Sequence, residues 1–460
     1  MAAALRLVDA LRRPLYVDEA LSLSIGVLPI DRAMAFLRSD FHPPLFFIML
    51  HGFESAHAGI WAIRAIMALF GVTSVALLMA IIGRWSNPRA ALIAGACAAV
   101  MPSLIFYDGW IRMYAPLDTL VLAGFWLVSL AATQDAGVWL RALRWLGWIA
   151  VMAAALYTHY LAWMALIAQL VFAATRGRRM AIGAAVAGVA AVALWLPQLP
   201  TFEHQLGAGG VSFGWFGNHL AQGVWELPSQ ATVDPELEGV WAAIAAAVVW
   251  LWLACAFAYA WPRSKATILP WLLAPAAITV AYSVIGHKEL YDARYYLLLA
   301  YGLAASTGVA LDRLWEKTTR ALVVACVAGA ALAAVGCAYA ADASFYTTDW
   351  PHVADVVRAH AQPSDLLVFQ PGAGDWAFQY YFDETGHRVW RVSTPAEIDH
   401  AVAQIGREHR VWLIGSGIVG IDPGLRVLHA LQQRFKLGYF EESTRILPSQ
   451  DVQIGLFIRQ

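Results

Sequence analysis

Long apolar stretches separated by short polar connections constrain this chain more than any other feature of its sequence. A helix needs roughly 20 apolar residues to cross a hydrocarbon core about 30 Å thick, and ten stretches approach that length. The predicted spans are 60–83, 90–106, 113–132, 144–157, 160–175, 180–197, 239–260, 267–286, 293–311 and 321–341. Since 60% of the residues are hydrophobic and 14% are charged, the chain is also more apolar than a soluble globular domain. The sequence therefore predicts an α-helical polytopic membrane protein.

The basic residues predict the orientation of these spans. When successive connections alternate between the two sides of the membrane, one side holds Arg84, Arg89, Arg141, Arg144, Arg176, Arg178, Arg179, Arg263, Lys265, Arg313, Lys317 and Arg320. The short connections of the other side hold Arg112, Lys288 and Arg294. Connections rich in lysine and arginine remain in the cytoplasm. The first side is therefore expected to be cytoplasmic, and the second to face outward.

Three parts follow from this pattern. Residues 1–59 are expected to form a first outer loop with interfacial helices. Residues 60–341 form the transmembrane domain, with a long outer loop at 198–238. Residues 342–460 form an extracytoplasmic domain in which predicted helices alternate with strands, at 351–361, 365–370, 395–409, 410–415 and 423–435, with strands beyond. Such alternation predicts a small α/β sandwich.

Composition and spacing argue against several classes of function. A net charge of -1 provides no basic field for nucleic acid. The cysteines all lie in apolar stretches without a Cys-x-x-Cys spacing, which argues against a zinc site or a disulfide framework; they are Cys97, Cys255, Cys326 and Cys337. No ligand spacing decides whether a divalent metal takes part.

A glycine motif at 415–420 matches the letters of a dinucleotide fingerprint, because it follows the predicted strand 410–415. However, Asp422 and Pro423 restart the chain after the third glycine. The next helix is then expected to begin too late to direct its N-terminus at a pyrophosphate. We therefore predict a tight loop there and no nicotinamide cofactor.

Polar residues cluster at the predicted outer ends of the spans. Asp18 and Glu19 form an acidic pair, which can supply a general base or simply begin a helix. The segment 40–45, Asp-Phe-His-Pro-Pro-Leu, follows it. Asp108 and Arg112 have the i,i+4 spacing of an ion pair on one helix face, and this pair can be functional or merely structural.

Two further outer clusters surround His159, within Tyr-Thr-His-Tyr at 157–160, and Lys288 with Arg294. Arginine and lysine here can bind a phosphate. They can equally be snorkelling bases in an aromatic belt, with Tyr295 and Tyr296. An imidazole such as that of His159 is also common as a hydrogen-bonded interfacial group.

The order of these motifs resembles that of the GT-C membrane glycosyltransferases. The likeness is greatest to the bacterial protein-mannosyltransferase-like branch that includes aminoarabinose transferases. It is carried by Asp-Glu-Ala at 18–20, Asp-x-His-Pro-Pro-Leu at 40–45, Trp-Ala-Ile-Arg at 61–64, Arg-x-Tyr-x-x-Leu at 112–117, Tyr-Thr-His-Tyr at 157–160, Trp-Leu-Pro-Gln-Leu-Pro at 195–200 and Ala-Arg-Tyr-Tyr-Leu-Leu-Leu at 293–299. Each motif is short, but together they cover most of the chain in the same order.

The resemblance implies a GT-C-like fold and an inverting glycosyltransferase of the bacterial inner membrane. Such an enzyme moves a sugar from a polyprenyl-phosphate carrier to a lipid, glycan or protein acceptor on the outer face, without a soluble nucleotide sugar. The implied catalytic residues are Asp18 as general base, Glu19 as its partner and Asp108 as a second acid. Arg112, Lys288 and Arg294 are the implied ligands of the donor phosphate, and the implied pocket residues are His42, Arg64, Tyr114, His159 and Tyr295.

This sequence departs from the family pattern at two places. Seventeen residues precede Asp18, too few for the spanning helix that family members have there. A start further upstream and a chain without that helix are both open alternatives. Trp110 stands where the family has its second acid, two positions before the arginine.

Two other functions stay open at this point. A transporter or flippase for a lipid-linked sugar would also need charged outer ends and apolar grooves, although transporters bind near the midplane between repeated halves. A non-catalytic relative acting as a partner protein is the second alternative.

Overall fold

The computed structural model describes residues 1–132, 137–207, 225–226, 229–230, 232–233, 240, 242–256, 258, 293–315, 329, 334–338, 349–416, 418–443 and 452–459. The chain divides into two compact units. Met1–Leu11 and Ile25–Ala341 form the helical unit, and Arg12–Ser24 and Asp342–Gln460 form the sheet unit.

The described part of the chain contains fourteen named α-helices up to residue 315. In chain order they are α1 (Ala2–Arg12), α2 (Val17–Gly26), α3 (Ile30–Ser39), α4 (Leu45–Ser55), α5 (Ile60–Trp85), α6 (Pro88–Val100), α7 (Pro102–Asp108), α8 (Tyr114–Ala131), α9 (Val138–Thr158), α10 (Ala162–Thr175), α11 (Arg178–Trp195), α12 (Leu199–Gly207), α13 (Ala242–Ala256) and α14 (Leu297–Trp315).

The predicted multi-spanning architecture is confirmed. In the described part of the chain five helices are long and apolar enough to cross a membrane, or six if the bent pair α6 and α7 is one span. Helices α5, α8, α9, α11 and α14 lie at predicted spans, and α10 is shorter than a full span. The predicted span 267–286 lies outside the described residues, and the spans 239–260 and 321–341 are described only in part.

A proline breaks the second predicted span. Helix α6 ends at Val100, α7 begins at Pro102, and the two axes are bent by 65°. Proline has no N–H, so the carbonyl of Ala98 cannot receive its usual bond from the residue four positions on. The guanidinium of Arg6 replaces that donor, with Nη2 donating to the Ala98 carbonyl at 3.3 Å and Nη1 to the Ala99 carbonyl at 3.1 Å. Inside a membrane such replacement is what makes an interrupted helix tolerable.

The same guanidinium binds Asp108. Its Nε donates to Asp108 Oδ2 at 2.7 Å, and both side chains are fully buried. The predicted Asp108–Arg112 ion pair is therefore wrong. The physical reason is that α7 ends at Asp108 and α8 begins at Tyr114, so these two side chains do not share a helix face.

The close packing of Gly71 against Asp108 yields a stability prediction. A Cβ at Gly71 would lie 2.3 Å from Asp108 Cγ, whereas a Cβ at Gly83, in the same helix α5, would meet only Ala91 Cβ at 3.6 Å. Gly71→Ala should displace Asp108 from Arg6 and destabilise the protein by about 1–3 kcal/mol, as overpacking does. Gly83→Ala should be neutral or slightly stabilising, since alanine favours helices. Thermal unfolding of the two variants in detergent tests this difference, and equal melting temperatures would contradict it.

The sheet unit contains a five-stranded mixed sheet. Its elements are α15 (Trp350–His360), β1 (Leu366–Phe369), α16 (Gly374–Phe378), β2 (Arg388–Arg391), α17 (Pro395–Gln404), β3 (Arg410–Ser416), α18 (Ile418–Ile421), α19 (Arg426–Gln432), β4 (Phe435–Ser443) and β5 (Val452–Arg459). The strand order is β2-β1-β3-β5-β4. Strand β1 runs parallel to β2 and β3, and β5 runs antiparallel to β3 and β4. The predicted α/β sandwich is confirmed, but the sequence did not predict β2, α16 or the short helix α18, which begins within the predicted tight loop 415–420.

Both faces of this sheet are buried, which explains the continuous apolar run of β1. Leu367 and Phe369 belong to one core cluster, which includes Trp350 of α15, and Leu366 and Val368 belong to a second on the other face. The segment Arg12–Ser24, which carries Asp18 and Glu19, contributes Ala20 to the first cluster.

The sheet unit contains an acidic pair, Asp375 and Glu384. Asp375 is fully buried and accepts hydrogen bonds from the guanidinium of Arg391. Burial, followed by the hydrogen bond and charge of Asp375, raises the pKa of Glu384 to about 8. The fold therefore favours the protonated form of Glu384.

This shift predicts the pH dependence of the sheet unit. A carboxyl group whose pKa is raised on folding stabilises the fold fully below its unfolded pKa, and that contribution is lost as pH rises through the folded value. The free energy of unfolding should thus fall between about pH 5 and pH 9, and Glu384→Gln should remove this slope. Hydrogen exchange of peptides covering Leu366–Phe369, corrected for the intrinsic pH effect, measures it in the full chain.

Glu397→Gln is the matched control, because backbone N–H groups of Ser393 and Thr394 lower the pKa of Glu397. The stabilising contribution of Glu397 is lost as pH falls through its lowered pKa. The fall in the free energy of unfolding between about pH 5 and pH 9 should therefore remain in Glu397→Gln. If the free energy of unfolding of Glu384→Gln falls over this pH range as it does in the wild type, Glu384 is not the group responsible.

Candidate functional site

A hydrogen-bonded row of three polar side chains begins the candidate site in the helical unit. Arg112, which is 4% exposed, lies in the irregular segment between α7 and α8, and its Nη2 donates to His42 Nε2 at 3.2 Å. An arginine can only donate, so His42 carries its proton on Nδ1. That nitrogen lies 2.8 Å from Asp40 Oδ2 and donates to it. The row thus orients a cation, an imidazole and a carboxylate relative to one another.

The Asp40 carboxylate is held in its ionised form by this row. Burial raises its pKa, but the electrostatic interaction and hydrogen bond with His42 and the charge of Arg112 together outweigh burial and lower it. Asp40 is the residue that follows α3, and His42 precedes the two prolines that lie just before α4. The local turn between two helices therefore sets their positions.

His159 joins this row from another part of the chain. It follows the last residue of α9 in an extended conformation, and its ring centroid lies 5.8 Å from that of His42 and 6.1 Å from that of Tyr114. Burial, followed by the electrostatic effect of the His42 ring and the charges of Arg112 and Arg294, lowers the pKa of His159 well below its usual value. Its Nδ1 accepts from the backbone N–H of Leu161 at 3.1 Å, so the neutral ring carries its proton on Nε2.

Next to this cluster three helical stripes enclose a narrow cleft. One stripe comes from α8, one from α10 with the residue before it, and one from the start of α14 with the 3-10 turn before it; the lining residues are Tyr114, Leu117, Asp118, Val121, Leu161, Met164, Ala165, Arg294, Leu297 and Leu298. Each stripe has the i, i+3, i+4 spacing of one helix face. The cleft has a volume of about 20 Å³, enough for a water molecule.

Asp118 is the residue in this cleft that sequence reasoning missed. It lies one helical turn beyond Tyr114 on α8, is 5% exposed, and its Oδ2 makes no hydrogen bond with any described residue. Burying such an oxygen is unfavourable unless a ligand or water pairs with it. A carboxylate within the predicted span 113–132 was the available signal, because ionisable residues inside a span commonly mark functional sites.

The structure thus brings together five of the predicted site residues, His42, Arg112, Tyr114, His159 and Arg294. Tyr114, at the start of α8, and Arg294, before α14, line the cleft. His42, Arg112 and His159 form the adjoining cluster.

The other predicted residues are placed differently or lie outside the described part. Arg64 is buried and donates to the carbonyl of Ala10 at 3.1 Å, and it does not line the cleft. Glu19 is fully buried and accepts a hydrogen bond from the backbone of Tyr16 at 3.0 Å. Lys288 and the side chain of Tyr295 lie outside the described residues.

This arrangement suits an anion. Arg112, Arg294 and the Nε2–H of His159 supply donors in a partly dehydrated site, where charge-assisted hydrogen bonds are strong. Within the described ranges no group of three or more His, Cys, Asp or Glu side chains is arranged to hold a metal ion.

Comparison with known protein families finds a match over the part of the chain that carries most of these site residues. Residues 41–200 match the family model described as dolichyl-phosphate-mannose-protein mannosyltransferase. This range contains His42, Arg112, Tyr114, Asp118 and His159. No curated protein matches the chain significantly in sequence.

Solved structures match almost the whole chain. Apo ArnT from Cupriavidus metallidurans aligns with a TM-score of 0.61 at 16% identity, covering 98% of this chain and 96% of ArnT. The chain has the GT-C fold. The same GT-C protein bound to undecaprenyl phosphate aligns with a TM-score of 0.58 at 17% identity, covering 99% and 96%. The archaeal oligosaccharyltransferase AglB from Archaeoglobus fulgidus, in complex with an inhibitory peptide and a dolichol-phosphate, gives 0.58 at 9% identity and covers 95% and 72%.

Proposed function

We propose that this protein is an inverting glycosyltransferase that moves a sugar from a polyprenyl-phosphate donor to an acceptor hydroxyl on a lipid, glycan or protein. The observation that carries the proposal is the convergence of Arg112, His159 and the cleft-lining Arg294 beside one cleft in a membrane protein with the GT-C fold. The mannosyltransferase family model that matches 41–200 and the lipid phosphates bound by ArnT and AglB agree with it.

The chemistry requires a base and a stabilised leaving group. A general base removes the proton from the acceptor hydroxyl, the oxygen attacks the anomeric carbon, and the bond from that carbon to the phosphate oxygen breaks. Attack opposite the leaving group inverts the anomeric configuration. The electron pair stays on the polyprenyl phosphate, whose growing charge is stabilised by cationic donors. We propose Arg112, Arg294 and Lys288 for that role.

The donor sugar is expected to enter the cleft beyond the cations. Asp118 lies one helical turn deeper than Tyr114, and its carboxylate can accept hydrogen bonds from sugar hydroxyls. The walls of Leu117, Val121 and Met164 are apolar and suit the carbon face of a sugar or an isoprene unit. Binding must widen the cleft, as closing and opening segments do in many enzymes.

We propose Asp18 as the general base, with Glu19 fixing the start of its helix through Tyr16. We propose that the reaction takes place on the outer face of a bacterial inner membrane, where the acceptor and the carrier headgroup both reach it; the distribution of basic residues among the connections supports this side. The sheet unit is then extracytoplasmic.

Loss of Arg294, a cation proposed to bind the phosphate of the donor, should weaken binding of the lipid phosphate. We expect Arg294→Ala to raise the Kd for undecaprenyl phosphate about tenfold or more, since hydrogen bonds to charged groups are worth about 1.5–3 kcal/mol. Arg313→Ala, in the last turn of α14, is the matched control and should leave Kd unchanged. Titration of the purified protein in detergent measures both, and equal affinity of the Arg294 variant and the wild type would exclude the phosphate role.

Loss of the base should abolish transfer without loss of binding. We expect Asp18→Asn to lower sugar transfer in membranes by about 10²–10⁴, while expression and undecaprenyl-phosphate binding persist. Asp31→Asn, an exposed aspartate of α3, should keep normal activity. Mass spectrometry of surface glycans with and without the protein first identifies the product. Normal turnover by Asp18→Asn would remove that residue from the mechanism.

A strain lacking the protein but showing unchanged surface glycans would refute the transferase itself. Movement of a lipid-linked sugar across vesicles without transfer would instead identify a transporter.

A further inference from the structure

A second cavity lies on the sheet unit, apart from every residue assigned above. It is an open groove of about 490 Å³ beside the edge strand β2 and the C-terminal end of α17. This volume is within the range of about 300–1,000 Å³ that is usual for small-molecule sites. Trp390, His400 and Arg407 are among its lining residues.

The groove contains an aromatic platform. Trp390 is half-buried and packs against the second core cluster, so its ring is fixed by the fold. The exposed His400 stands nearly edge-on to it, with ring centroids 5.9 Å apart. The π-face of a tryptophan carries partial negative charge and attracts the polarised C–H groups of a sugar ring.

The groove also carries an excess of basic groups. Its carboxylate, Glu408, is 8% exposed and is already paired with Arg388, whose Nη1 donates to Oε1 at 3.0 Å. Arg407 is exposed and makes no hydrogen bond or ion pair with any described residue. His400 and His409 also line the groove. A pocket that is lined by an unmatched arginine and two imidazoles favours an anion.

We infer that this groove binds an anionic saccharide, with the sugar ring against Trp390 and its phosphate or carboxylate group on Arg407 and the neighbouring imidazoles. Arginine suits this role because its planar fork matches both kinds of anion. Gln404, at the end of α17, supplies an amide for a sugar hydroxyl. The inference does not depend on the proposed transferase activity, because it concerns binding by the sheet unit.

Binding of mannose 6-phosphate to the full chain in detergent tests the inference. We expect saturable binding that weakens with added salt, and a Kd raised about tenfold by Arg407→Gln and also raised by Trp390→Phe, which keeps an aromatic packing group. Arg358→Gln is the matched control, since Arg358 is an exposed arginine of α15 that pairs with Asp355 outside the groove. It should bind like the wild type.

Two reference probes distinguish the contribution of the sugar ring to binding from that of the phosphate group. Methyl mannoside and inorganic phosphate should each bind more weakly than mannose 6-phosphate. Phosphate binding as tight as that of mannose 6-phosphate, or no effect of Trp390→Phe, would reduce the groove to a plain anion site and overturn the inference. Absence of binding, or equal loss in Arg358→Gln, would overturn it as well. Sugar transfer by the Arg407 variant reports separately on the proposed function.

Discussion

The helical unit depends on one arginine that replaces a missing backbone donor. Pro102 breaks the span, and Arg6 satisfies the carbonyls that the break leaves behind while it pairs with the buried Asp108. Removing one partner of such a buried pair costs about 3–5 kcal/mol, so the arrangement tolerates little change. Gly71 is required because any side chain there would occupy the space of the Asp108 carboxylate.

This break also makes the candidate site possible. Because α7 ends at Asp108 and α8 begins at Tyr114, residues 109–113 lie outside both helices, and Arg112 reaches His42 across 70 positions of sequence. The resulting row of Arg112, His42 and Asp40 presents charge at the ends of apolar helices. Such a location suits a reaction on a headgroup, since the lipid tail can remain among apolar side chains while the phosphate meets cations.

Several predictions from sequence depended on patterns that are local, and these were confirmed. Spans such as α5 and α8 follow from the length of apolar runs, and β1 and β3 from short apolar runs between helices. Strand β2 was missed because Arg-Val-Trp-Arg is neither a long apolar run nor a clear alternation, and its pairing with β1 decides its conformation. Asp118 was missed because its position in a cleft depends on the packing of α10 and α14 against α8, which the sequence does not show. The roles of all the predicted site residues, Asp18, Glu19 and Lys288 among them, stay predictions.

The sequence alone determined that this is a multi-spanning membrane protein with an α/β domain, because hydrophobic length and periodicity act over neighbouring residues. The order of its short motifs also indicated the GT-C fold. Only the tertiary structure decided the partners of the charges: Asp108 binds Arg6, 102 positions away, and not Arg112 four positions away. Burial makes an unpaired charge costly, so the partner is set by which helices meet in space and not by which residues are near in sequence.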